Sequence, residues 1–168
     1  MTPAHERAVA VAVDRAFGAS LQQLVIGCAQ LATGYELCAR RAREIRVADV
    51  GGSLSTLYRA VTHELAAFLV TSGASVPRTK PTCSERLRWE WLASTGRLID
   101  GAPERQVLIE CARIENAVAP YVAALGDRAV MLDLEGLRQV VTLLERAHAA
   151  SARLAGRVRS PSGVLASG

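Results

Sequence analysis

Aromatic residues are scarce in this sequence, and lysine is nearly missing. Phe, Trp and Tyr make up 4% of the 168 residues, and Lys80 is the only lysine. A core with so few rings must be aliphatic, packed from Leu, Val and Ala. Metal-binding cysteine pairs are lacking too. Cys28, Cys38, Cys83 and Cys111 form no CxxC, and none lies at zinc-finger spacing from a histidine. No apolar run reaches the ~18 residues of a membrane span. Basic stretches interleaved with aromatics are absent, which argues against a nucleic-acid surface. There is no nucleophile motif, no Ser-His-Asp set and no phosphate-cradling glycine loop.

What is present points to helices. Half of the residues are apolar, and 20 basic residues against 16 acidic ones give a net charge of +4. A chain of this length buries roughly 70% of its unfolded surface in one domain, without needing disulfides or metal. Ala and Leu favour helices, and Gly and Pro cluster at separate points, so the expected fold class is all-α. Ala8-Val9-Ala10-Val11-Ala12-Val13 has the hydropathy of a secretory leader. It is short, follows Glu6, precedes Asp14 and lacks a basic flank, so no signal peptide is expected. The expectation is a soluble cytoplasmic protein with reduced thiols.

Residues 1–18 read as an N-terminal arm or short helix broken by Gly18. Ser20 stands three residues before Gln23, a capping-box pattern, and opens a first long helix to about Arg46. Its stripe is Leu24, Cys28, Leu31, Tyr35, Cys38, Ala42, Ile45, in alternating steps of four and three. That is the seam of a helix packed lengthwise against others. Gly51-Gly52 reads as a linker, and Ser53 as the N-cap of a second helix ending before Gly73. Its inward set is Leu54, Leu57, Val61, Leu65, Phe68 and Leu69. Pro77 and Pro81 bar regular structure. Thr82 and Glu85 then form a capping box for a short helix to about Ile99, whose Trp89 and Trp91 should cover apolar surface left open by the long helices.

Pro103 suits the first turn of the third long helix, striped by Val107, Cys111, Ile114, Val118, Tyr121 and Leu125. Pro120 lies inside it and Gly126 should end it. The last helix should start near Val130, with Leu137, Val141, Leu144, His148, Ser151, Ala155 and Val158 inward. Residues 159–168 read as a disordered tail. The expected domain is therefore 19–158: an antiparallel four-helix bundle with an extra helix, about 83–99, in the crossover between the second and third long helices.

The ordered series resembles a family of small bacterial ferritin-like proteins related to rubrerythrin-type bundles. Thr33-Gly34-Tyr35-Glu36 is similar to that family's first-helix motif. Glu64-Leu65 with Gly73 and Pro77 is similar to its second-helix ending. Trp91, Asp100-Gly101, Val107 to Cys111 and Glu115 are similar to its crossover and third helix, and Glu145-Arg146-Ala147-His148 to its last helix. The likeness spans roughly residues 20–155. It implies a bundle of this type, commonly dimeric and linked to stress responses.

A ferritin-like metal centre uses one Glu on each of two helices and a Glu-x-x-His on each of the other two. Carboxylates bridge hard cations and imidazoles complete the shell. Glu145-x-x-His148 fits, with His148 on the expected seam, where a buried imidazole needs a partner. Glu115 and Glu64 fall near the core, and Glu36 matches the family motif. The pattern departs in two places. Glu64 is followed at the second histidine position by Ala67. Glu36 lies about 120° from the middle of its stripe, where Arg40 is an ion-pair partner. Glu36, Glu64, Glu115, Glu145 and His148 are thus candidate ligands for iron or manganese, or a buried histidine with flanking charges. His5 and His63 add nothing, and a histidine-rich centre is excluded by inventory.

Three functions stay open. The first is a non-catalytic interaction protein that self-associates as a dimer, with the tryptophan-bearing crossover helix as its contact. The second is a metal-binding protein with oxidase or peroxidase chemistry. The third is a weak nucleic-acid binder using Arg138, Arg146, Arg153, Arg157 and Arg159.

Overall fold

The computed structural model describes residues 15–159, and all its regular elements are helices. There are five among the described residues: α1 Arg15–Arg41, α2 Ile45–Thr71, α3 Cys83–Asp100, α4 Pro103–Met131 and α5 Glu135–Arg159. None is long and apolar enough to cross a membrane. The expectations for residues 1–14 and for the tail beyond Arg159 fall outside the described residues.

α1 packs on α2 and α4, and α5 packs on the same two, so the four long helices close a ring. α3 lies outside that ring, mainly against α4 and over a smaller area against α1. Contacts across α1 and α4 run in opposite senses along the chain. A Cβ at Gly27 would meet Val118, and one at Gly34 would meet Cys111. The three-residue connection between α1 and α2 forces those helices antiparallel as well.

The apolar stripes lie where the heptad rhythm put them. Leu24, Cys28, Leu31, Tyr35 and Cys38 of α1 are buried, as are Leu54, Val61, Leu65 and Leu69 of α2. Val107, Cys111, Ile114, Val118 and Leu125 do the same on α4. Burying one such aliphatic side chain contributes about 2 kcal/mol. Ile45, expected at the end of the first stripe, is exposed because α1 stops at Arg41 and Ile45 opens the next helix.

Several boundaries differ from expectation, each for a local reason. Residues 15–18 belong to α1. Ser20 lies within it and its hydroxyl donates to the Ala16 carbonyl, so it caps nothing. Ser53 likewise donates to the Asp49 carbonyl inside α2. Gly51-Gly52 is not a linker. Gly51 is buried where a Cβ would stand 3.2 Å from the Ala39 nitrogen and the Tyr35 carbonyl oxygen, so its missing side chain lets α2 approach the α1 backbone. Gly126 does not end α4. The chain leaves that helix at Asp133, whose φ of 52° places it in the left-handed region that Asp tolerates better than most residues. Its neighbour Leu134 donates to the Ala129 carbonyl, closing the terminus.

Other signals hold as read. Thr82 accepts from the Glu85 amide at 3.1 Å and its own amide donates to the Glu85 carboxylate at 2.6 Å, a complete capping box. Gly101, at φ 65°, ends α3, and Pro103 opens α4.

Candidate functional site

The polar centre of the ring is Glu115 on α4, only 6% exposed. Its Oε1 accepts hydrogen bonds from the Tyr35 hydroxyl on α1 at 2.9 Å and the Tyr58 hydroxyl on α2 at 2.8 Å. Its Oε2 accepts from the Ser151 hydroxyl on α5 at 2.6 Å. One carboxylate therefore joins all four long helices. The two tyrosine rings stack with centroids 5.8 Å apart and planes within 1° of parallel. Burial pushes both phenols well above their ordinary pKa, and the neighbouring Glu115 charge adds to this. Both hydroxyls thus stay protonated as donors, which is what a buried carboxylate needs.

His148 stands at the edge of this cluster, its Nδ1 3.6 Å from Glu115 Oε2. Its side chain is 62% exposed, which corrects the expectation that it lies on the seam. The buried line of α5 runs through Leu137, Val140, Leu144, Ala147, Ser151 and Leu154. The expected stripe is displaced toward the flank of that line, so Val141 and Ala155 are only partly buried and His148 faces out. Val158 lies beyond the side chains described.

The other candidate ligands do not join Glu115. Glu36 is partly exposed and pairs with Arg59 of α2 rather than with Arg40. Glu64 is exposed, as is Glu145. Glu145 does share a cleft of about 430 Å³ with Glu115, His148, Tyr58 and Asp127, walled by Val118, Val122, Val141 and Leu144. Among the described residues, no three His, Cys, Asp or Glu side chains form a group that could hold a metal ion. Glu115 is already engaged by three hydroxyls. This donor set does not fit a two-metal centre.

Tyr58 was the residue sequence reasoning missed. It follows Leu54 by four positions and precedes Val61 by three, so it shares the apolar seam of α2, and a tyrosine there must find a partner for its hydroxyl. Ser151 was placed on the α5 stripe without a role, and Tyr35 was read as a packing residue.

A second ionic cluster fastens α3. Glu110 of α4 accepts from Arg113 at 2.7 and 2.8 Å and from Arg88 of α3. Its carboxyl is held below the usual range, chiefly by the Arg113 hydrogen bonds. Trp89 of α3 is buried in the notch that Gly34 leaves on α1. Trp91 points the other way and is 65% exposed, so only one tryptophan covers the bundle.

In comparisons with known proteins, no family model, no curated protein and no solved structure matches this chain.

Proposed function

We propose that the chain is a ferritin-like antiparallel four-helix bundle, with α3 as an extra helix in its crossover, that works through its surface as a self-associating interaction protein and not as a catalyst. Two features support the architecture. The four long helices close a ring, and a long connection carrying α3 separates the second from the third. The non-catalytic reading rests on the saturation of Glu115: this buried carboxylate at the centre of the ring is spent on holding helices together. The self-association is carried by one observation. The outer face of α3 leaves Leu87, Trp91 and Leu98 largely exposed in a line. A stress-related role is added by the family resemblance.

Light scattering of the purified chain tests this. A dimer is expected, and a monomer at every accessible concentration would overturn the reading.

The alternative is a metal-binding protein with oxidase or peroxidase chemistry. One observation favours it: Glu145 and His148, three residues apart on one helix, line the cleft that also holds Glu115, although the three are not grouped closely enough to hold an ion as they stand. Metal analysis after growth in iron- or manganese-supplemented medium decides it. A stoichiometric metal signal that disappears in His148→Ala would establish the alternative.

A further inference from the structure

Helix α3 has two faces of opposite character. Trp89, Ala93 and Gly96 are buried against the bundle. Leu87, Trp91 and Leu98 are 66%, 65% and 85% exposed, with the exposed Ser94 between Trp91 and Leu98. These four residues step by four, three and four, the heptad rhythm of a helix-pairing seam. Two large exposed leucines and a tryptophan aligned at this spacing mark an interaction face, with Ile99 exposed off the seam on the same helix.

We propose that this face pairs with the α3 of a second copy, antiparallel, about a two-fold axis passing between Leu92 and Ala93. The proposal rests on the self-association reading and adds to it the surface, the direction and the register.

Three observations select this arrangement. In the antiparallel register, Leu87 lies across from the partner's Leu98, and each pair occurs twice by symmetry. Trp91 lies across from the partner's Ser94, so the largest side chain of the seam meets the smallest. The Ser94 hydroxyl already donates to the Glu90 carbonyl at 2.9 Å, so covering it leaves no unpaired donor. Flanking the seam on one side, Glu90 falls opposite the partner's Arg97, again twice, giving two pairs of opposite charge along that rim. Glu90 also accepts from Arg41 at 2.9 Å and remains half-exposed. In a parallel pair, by contrast, Trp91 would oppose its own copy, Ser94 would leave a void, and the Glu90 and Arg97 pairing would be lost.

The test is sedimentation equilibrium on the full chain, with circular dichroism to confirm that each variant is folded. Arg97→Glu alone, or Glu90→Arg alone, places like charges at both symmetry-related pairs of that rim and should weaken the dimer about tenfold. Arg97→Glu is the cleaner single change, because Glu90 also holds Arg41. The double variant, Glu90→Arg with Arg97→Glu, restores opposite charges and should recover the dimer. That rescue is specific to the antiparallel register. A wild-type dimer that ignores both single changes, or single losses that the double change does not rescue, would overturn the pairing while leaving self-association through another face. A wild-type monomer would overturn both readings.

Discussion

At the scale of single residues, three hydroxyl groups from three helices converge on the carboxylate of a fourth. Removing one donor leaves the acceptor with two others, whereas removing the acceptor strands the two buried tyrosine hydroxyls, Ser151 keeping the His148 carbonyl at 2.9 Å. Tyr58→Phe should therefore cost about 1 kcal/mol, and Glu115→Leu roughly 3 kcal/mol or more. Urea unfolding followed by circular dichroism measures both, and equal losses would show that the network is not centred on Glu115. Buried thiols make a second prediction at this scale. Burial pushes Cys28 and Cys38 up from 9.0 to about 12. Between those values the unfolded chain releases protons that the folded chain retains. Stability from these groups is therefore full below about pH 9 and falls as pH rises toward about 12. Each thiol contributes a slope of up to ~1.4 kcal/mol per pH unit. Denaturant midpoints measured through the alkaline range should fall, and less steeply in Cys28→Ala and Cys38→Ala.

Among the helices, two adjacent glycines offer a test of opposite signs. A Cβ at Gly51 would press on the α1 backbone at 3.2 Å, and backbone cannot rotate out of the way. A Cβ at Gly52 would find its nearest neighbour, the Ala39 Cβ, at 4.0 Å. Gly52→Ala should stabilise by roughly 0.5–1 kcal/mol through helix propensity. Gly51→Ala should destabilise by about 1–3 kcal/mol through overpacking, despite the same propensity gain. Thermal melts of the two variants compare them directly, and a stabilised Gly51→Ala would contradict the close approach of α1 and α2. The same contrast explains why the pair resembles a linker. Gly-Gly is a breaker by propensity, and only the neighbouring helix gives it a reason to sit in the middle of one.

At the scale of the whole molecule, the Glu115 network and the exposed seam of α3 lie apart. Glu115 stabilises the interior of the ring, and the α3 seam faces away from it. If the seam is covered by a second copy, folding and assembly are linked, and the melting temperature should rise with protein concentration. Scanning calorimetry across a dilution series measures this. A melting temperature independent of concentration in the wild type, together with one unchanged in Trp91→Ser, would remove the link.

The heptad rhythm of apolar residues was enough to determine helices over the described residues and the inward faces of α1, α2 and α4, and the short-range Thr82–Glu85 and Gly101 signals set the ends of α3. These are local effects, since side chains three and four apart share a helix face whatever lies beyond. Tertiary structure alone decided the rest. It decided that Gly51 is a contact and not a hinge, that Tyr58 and Ser151 serve the same carboxylate as Tyr35, and that His148 faces outward. By heptad position Glu115 is placed near the core no more firmly than Glu64, which is exposed. Glu115 became the centre of the molecule because the packing of three other helices removed it from water and brought donors from each.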